Sequence, residues 1–339
     1  MSNPFTAALV FAIPIVVVLA FAAMALIERR RAGAASGPGF FQRNGAPIAI
    51  FLIVAAIFWA LILIVVPQLY MVDYSFHPKL PQIKRGGPED VYTLENYRYF
   101  LFGSTRSTEH WNTTHLYAFW ITIFVSTIIT IINFAICYPL AYFLAQVARP
   151  RIVQKLMALL VIPYWVNEIL RAFAFRILLG TGGLINNVAI AAGIIHEPID
   201  FIGHDVALYA GLTYAYLLIM MFPLYNAIES LDRNQIEAAR DLGAPWWHIH
   251  LFVVMPFAKP GIASGATLVF MLCAGALAAP LVLGGPKTLW FTPIVYDRFF
   301  QAFNWPQGSA YAMILLLTCM AFVSLTMRLF KVSLSEITR

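Results

Sequence analysis

Glu168 and Arg171 lie three residues apart within a long apolar run, so on a helix they share one face and can pair. Charged groups at membrane depth are costly, and they mark functional positions by default. Trp165 and Asn167 flank the pair, and Pro163 disrupts the local backbone, exposing carbonyls that can face a water-filled cavity. Glu168 with the rings of Tyr164, Trp165 and Tyr214 offers a carboxylate and aromatic faces, the chemistry that ammonium groups require. Two blander readings compete: an internal ion pair that holds spans together, and aromatic rings that simply pack.

A second constellation is polar and lies between two apolar runs: Glu237-Ala238-Ala239-Arg240-Asp241-Leu242-Gly243, followed by Val253-Val254-Met255-Pro256. Asp232 and Asn234 can cap a helix whose first turns hold Glu237 and Asp241. Ala238, Ala239 and Leu242 give that helix a small, close-approach face, and Gly243 is placed to stop it. Pro245 precedes a second amphipathic stretch, Trp246 to Phe252, and Pro256 with Pro260-Gly261 breaks the chain before the next apolar run. The expected product is helix, turn, helix. His248 and His250 are an i, i+2 pair that does not converge on one helix face, which argues against a metal site.

These residues need membrane spans to position them. The chain is 61% hydrophobic and only 11% charged, with a mean hydropathy of +0.77, far from the composition of a soluble domain. A bilayer core needs roughly 20 apolar residues in helical form. Seven runs meet that requirement, at about 7–27, 48–72, 116–138, 156–179, 205–228, 261–284 and 310–330. If the loop after the first span is inside, Arg29, Arg30, Arg31, Arg43, Arg149, Arg151, Lys155, Arg233, Arg240, Lys259, Arg328, Lys331 and Arg339 are all cytoplasmic. Lys79, Lys84, Arg85, Arg98, Arg106, Lys287 and Arg298 are then outside, so the bias predicts an N-terminus outside and a C-terminus inside. The same distribution explains the net charge of +6 without nucleic acid, because the basic residues form no run or aromatic-interleaved patch. The first run reads as a retained anchor and not as a signal peptide, since Arg29 to Arg31 follow it.

Three polar segments fall outside under this topology. The one between Asp73 and His115 reads as a folded cap with a short helix, from the spacing of Leu94, Tyr97, Phe100 and Leu101. The segment at about 180–204 carries a short helix over 184–195 and a cluster of His196, Glu197, Asp200, His204 and Asp205. The third, from Gly284 to Gly308, is rich in aromatic residues, among them Trp290, Phe291 and Phe300, and reads as a membrane belt. Cys137, Cys273 and Cys319 lie within spans and read as small packing residues.

Glu-Ala-Ala, three residues, Gly, nine residues and then aliphatic-x-aliphatic-Pro resembles the EAA loop of permease subunits of type I ABC importers. Val253-Val254-Met255-Pro256 is a conservative departure from Ile-x-Leu-Pro. The likeness extends to Pro163-Tyr164-Trp165-Val166-Asn167-Glu168-Ile169-Leu170-Arg171, Pro223-Leu224-Tyr225, Leu283-Gly284-Gly285 and Asn304-Trp305-Pro306. With Tyr138-Pro139-Leu140-Ala141-Tyr142 and Thr93-Leu94-Glu95-Asn96-Tyr97, these are similar to the spermidine/putrescine (PotB-like) permease branch, over roughly residues 48 to 330.

The resemblance implies an all-α, polytopic helical bundle in the bacterial inner membrane: a six-span permease core over 47–330, with its EAA coupling loop at 229–260. The extra N-terminal anchor and basic linker at 1–46 depart from that six-span core, and a short cytoplasmic tail follows at 331–339. It also implies a cytoplasmic ABC ATPase dimer, a second homologous permease, a periplasmic solute-binding protein and a small organic solute as partners, with lipid around the spans. Glu237, Ala238, Ala239, Asp241, Gly243 and Pro256 would couple to the ATPase, and Tyr164, Trp165, Asn167, Glu168, Arg171 and Tyr214 would line the substrate pathway. The chain carries no G-x-x-x-x-G-K-[ST] sequence, so it is not expected to be an enzyme or to hold a cofactor, and ATP would be bound by the partner. The alternative is an ion-coupled secondary transporter acting alone, which predicts more ionisable residues within spans and usually a repeat architecture.

Overall fold

The computed structural model describes residues 46–104 and 110–332, and every regular element among them is helical. The expected span at 7–27, its basic linker through Arg43 and residues 333–339 of the tail lie outside the described residues. Among the described residues, five helices are long and apolar enough to cross a membrane, or six if one bent pair counts as a span. The described residues divide into two compact units, those within 46–98 and 303–313 and those within 99–302 and 314–332.

In the first unit, α1 (Ala46–Ala60) passes through a π-helical turn, Leu61–Val65, into α2 (Val66–Ser75). Phe51, Phe58, Trp59 and Leu63 are exposed along it, as suits a helix whose solvent is hydrocarbon. The polar segment after it is folded, as expected, and leads into α3 (Glu95–Phe102). Buried Asn96 donates from Nδ2 to the carbonyls of Ser75 at 2.9 Å and His77 at 2.8 Å, while the Ser75 and Tyr97 hydroxyls meet at 2.8 Å. Asp90 lies 2.6 Å from His77 Nδ1 and accepts from the Gly86 N–H at 2.8 Å. Burial alone would raise the Asp90 carboxyl, but these two hydrogen bonds and the charges of His77 and Arg85 outweigh it and hold the group below its usual range.

The second unit opens with α4 (Thr113–Tyr142), capped by the Asn112 side chain and prolonged by a π-helical turn, Phe143–Val147. After α5 (Pro150–Val161) the chain makes a 3₁₀ turn, Ile162–Trp165, and resumes as α6 (Glu168–Leu179) and α7 (Leu184–Ala191). The expected single span at 156–179 is therefore broken. Pro163 lies in the tight turn, and Val166 and Asn167 are extended, so the intrahelical hydrogen bonds cannot continue. The membrane-length segment is instead Glu168–Ala191, which takes in the short helix expected in the second outer segment.

Next comes α8 (Val206–Glu229), then a hairpin of α9 (Arg233–Asp241), α10 (Trp246–Ile249), a π-helical turn His250–Val254 and α11 (Met255–Phe257). It returns to α12 (Lys259–Ala274), followed by α13 (Ala278–Leu283), α14 (Phe291–Phe300) and α15 (Trp305–Phe330), whose residues from 314 belong to this unit. The expected span at 261–284 is also interrupted, because α12 ends at Gly275 and the chain resumes helical form only at Ala278. In the aromatic segment, Trp290 and Phe291 are buried, and the Phe291 ring meets Phe119 at 5.3 Å and Phe100 at 5.8 Å. These two are core and not belt, whereas Phe300 remains exposed.

Helix α8 is the axis of this unit and packs most extensively on α4 and α12. Leu208, Leu212, Met220, Leu224 and Ile228 are fully buried along it. Contact with α12 is close because α12 presents glycine: a Cβ on Gly261 would stand 2.5 Å from the Pro223 carbonyl oxygen and 2.5 Å from the Ala227 Cβ. One on Gly265 would stand 2.8 Å from Met220 Sδ. This is the small-x-x-x-small contact by which membrane helices associate without a hydrophobic driving force.

Gly261→Ala is accordingly expected to destabilise the purified protein by about 1–3 kcal/mol, seen as a lowered thermal midpoint, because its neighbour is backbone and cannot yield. Gly182→Ala, where a Cβ would meet nothing within 4 Å, is expected to leave the midpoint unchanged. At Asp90 the folded carboxyl holds its proton less tightly than the unfolded one, so its stabilisation is present above the ordinary carboxylate range and disappears as pH falls through and below it. Limited proteolysis of the 76–98 segment should accelerate on acidification through that range, and Asp90→Asn should remove much of this pH dependence.

Candidate functional site

The hairpin between α8 and α12 is built as the sequence predicts, with one change of face. Asp232 Oδ1 accepts from the Asn234 N–H at 3.0 Å and caps α9, whereas Asn234 is already inside the helix. Gly243 ends it in the left-handed region, φ +78°, where its N–H donates to the Arg240 carbonyl at 2.8 Å and the Ala244 N–H to the Ala239 carbonyl at 3.1 Å. Ala238, Ala239 and Leu242 do not form one face. Buried Ile236 turns Ala239 inward against the core, and a rotation of about 100° per residue then leaves Ala238 and Leu242 outward with Glu237, Arg240 and Asp241. Leu242 is 89% exposed and Trp246 75%, so an apolar knob projects beside the carboxylates of Glu237 and Asp241.

This projection stands on a buried base of Leu231, Ile236, Ile249 and Val254. Pro256 is exposed in α11, and the chain bends by 73° between the hairpin's second arm and α12. His250, set aside above as a metal ligand, is instead within 2.8 Å of the Tyr138 hydroxyl through Nδ1, and its ring centroid lies 4.4 Å from that of Tyr142. At the root of the first arm, Gln146 donates from Nε2 to the carbonyls of Ile228 at 2.8 Å and Leu231 at 3.1 Å, while its backbone carbonyl accepts from Arg233 Nε at 3.1 Å. Nothing in sequence spacing connects residues 87 or 112 positions apart, so these contacts could not be read there.

The Glu168 constellation is only partly assembled. Asn167 caps α6, its Oδ1 accepting from the Ile169 N–H at 2.8 Å, and Glu168 occupies the first turn, where the helix dipole favours a carboxylate. Glu168 and Arg171 do not pair. Ion pairs elsewhere among the described residues include His77 with Asp73 and Asp90, and Lys84 with Glu89. The Arg171 guanidinium turns back over the Tyr164 ring, 5.2 Å from its centroid, leaving Nε buried without a hydrogen-bond partner.

Glu168 lines a cavity of about 430 Å³ with Ile169, Tyr216, Leu272, Ala276 and Leu281. Trp165 is 85% exposed and outside it, and Tyr214 packs on Phe175 with ring centroids 5.2 Å apart. Tyr216 is the tyrosine that shares the Glu168 cavity. Two residues on a helix are separated by about 200°, so Tyr214 and Tyr216 cannot serve one face. A signal was available: Leu212, Tyr216, Met220 and Leu224 recur every four residues and are all buried, and Tyr214 is out of phase with them.

The family model for the inner membrane component of binding-protein-dependent transport systems matches residues 116–332. The spermidine/putrescine transport system permease protein PotB of Haemophilus influenzae is 34% identical over 262 residues, covering 76% of this chain and 85% of that one. The protein of the same name from Escherichia coli K12 is 29% identical over 259 residues, covering 76% of this chain and 89% of its own. Among solved structures, a bacterial alginate ABC transporter in complex with an alginate pentasaccharide-bound periplasmic protein aligns with a TM-score of 0.67 at 15% identity, over 87% of this chain and 98% of that one. At that identity the likeness concerns the fold. The matched segment holds the hairpin, the Glu168 cavity and the helices that frame them, and the chain belongs to the family of inner membrane components of binding-protein-dependent transport systems.

Proposed function

We propose that this chain is the conducting permease subunit of an ATP-driven importer, that the hairpin from Arg233 to Phe257 is the surface a cytoplasmic ATPase grips, and that the cargo is a polyamine or related small organic cation. The observation that carries the proposal is the construction of the hairpin. Its outward face, Glu237, Ala238, Asp241 and Leu242 with Gly243 at the turn, is presented to solvent while Ile236, Ile249 and Val254 anchor it in the core. A rigid projection fixed to two spans can carry rigid-body motion, which a mobile loop cannot. Ala239 serves it from the inside, letting α9 lie close to the core, and exposed Pro256 helps shape the second arm.

The positive-inside bias supports a cytoplasmic position for this face, with the N-terminus outside. ATP is bound and hydrolysed by the partner, and this chain needs no cofactor. The likeness to spermidine/putrescine permeases supports the cargo, a second and different permease subunit, and delivery by a periplasmic binding protein. A lone ion-coupled transporter would leave the exposed hairpin without a use.

For a cationic cargo the Glu168 cavity supplies the needed chemistry. An ammonium group about 4 Å from a carboxylate at an effective dielectric near 20 gains roughly 4 kcal/mol. Glu168 is not tied up in an ion pair, because Arg171 is drawn aside onto Tyr164, and Asn167 fixes the start of the helix that presents it. Tyr216 adds an aromatic wall to the same cavity.

With the chain purified alongside the ATPase encoded beside it, wild type is expected to retain the ATPase, while Glu237→Lys and Gly243→Pro release it and abolish uptake. Uptake persisting unchanged in both variants would refute the docking role. Glu168→Gln is expected to keep the ATPase bound and raise the KM for labelled spermidine about tenfold, a loss near 1.4 kcal/mol. An unchanged KM would remove Glu168 from the pathway.

A further inference from the structure

Both arms of the hairpin are tied to the end of one helix. Tyr138, Tyr142 and Gln146 follow at four-residue intervals along α4 and its terminal π-helical turn, so they form one stripe. Gln146 holds the root of the first arm: its side chain donates to the Ile228 and Leu231 carbonyls, and its backbone carbonyl accepts from Arg233. Tyr138 and Tyr142 hold the second arm through His250, by a hydrogen bond of 2.8 Å and a ring contact of 4.4 Å. Each fastening adjoins a π-helical turn, Phe143–Val147 on α4 and His250–Val254 on the hairpin. Such turns interrupt the regular helical ladder and recur at functional sites.

From this geometry we infer that the Tyr138, Tyr142, Gln146 stripe is the element through which the hairpin's movement enters α4. The inference rests on the proposed docking role of the hairpin and adds the route. A hairpin held at one arm can pivot about that point and leave α4 behind. Held at both arms by one helix face, it cannot rotate without carrying the end of α4, and Cys137 lies one residue before Tyr138, bonded through Sγ to the Leu217 carbonyl of α8 at 3.3 Å. Displacement at the hairpin thus reaches the central helix. Tyr138 and Gln146 are positioning residues that touch neither ATP nor solute.

The test uses the assembled transporter, reconstituted with its ATPase, second permease and binding protein, and compares Tyr138→Phe, Gln146→Leu and the double variant with wild type. Ile136→Ala, on the same helix but off the stripe and exposed, is the control. The expected result is that the ATPase stays bound and hydrolysis continues in all four variants. Labelled spermidine imported per ATP hydrolysed should fall several-fold in each single stripe variant and at least tenfold in the double, with the control at the wild-type ratio. A merely destabilising change would lower the amount of transporter and leave that ratio unaltered. If Gln146→Leu fails to assemble, Tyr138→Phe, which removes one hydroxyl, carries the test alone. An unchanged ratio in stripe variants that keep their ATPase overturns the inference while leaving the docking role intact. A wild-type chain that never retains the ATPase would refute both.

Discussion

The close approach of α12 to α8 at Gly261 is the contact on which the rest of the larger unit depends. The hairpin leaves from the end of α8 and returns at the start of α12, so the separation of its two roots is set where Gly261 lies against Pro223 and Ala227. A side chain there would push the roots apart and strain everything between them, from the Asp232 cap to the 73° bend before α12. In lipid, apolar surface gains nothing by leaving the solvent, so close packing and satisfied polar groups have to hold such a pair together.

The same economy of polar groups shapes the two sites differently. The base of the hairpin is tied by hydrogen bonds: Gln146 Nε2 and Arg233 bond backbone carbonyls and His250 bonds Tyr138, with Gln146 Oε1 left unpaired. The projecting face is left without such ties, with Leu242 and Trp246 exposed beside Glu237 and Asp241. A firm base under an unsatisfied face is what a docking element requires. In the Glu168 region the reverse holds, because the charged groups are kept apart. Arg171 is accommodated on Tyr164, and the carboxylate faces a cavity instead of being neutralised within the chain. A pre-formed ion pair there would have to be broken before any cation could bind, at a substantial cost in a low-dielectric setting.

Local patterns were legible wherever one residue's conformation or one helix face decided the outcome. Asp232 as a cap, Gly243 as a stop, Pro245 before the second arm and the helix around Tyr97 all follow from neighbours within a turn or two. Apolar length marked the spans, but it could not show where they break. The run at 156–179 is apolar throughout its turn at Pro163, and hydropathy does not distinguish a 3₁₀ turn from an α-helix. Trp290 and Phe291 were misplaced for a related reason, since an aromatic ring suits a membrane boundary and a buried cluster equally well.

Composition, charge bias and the spacing from Glu237 to Pro256 were enough for a polytopic helical membrane protein, a polar hairpin and a family, because each depends on properties that accumulate along the chain. Which tyrosine joins Glu168, whether Glu168 pairs with Arg171, and what holds the hairpin depend on side chains from helices far apart in sequence. Tyr216 replaces Tyr214 through the rotation of α8 against its neighbours, and Arg171 leaves Glu168 because the chain breaks before α6 and brings Tyr164 within reach. Helix rotation and backbone breaks are set by packing among several elements at once, so tertiary structure alone decides them.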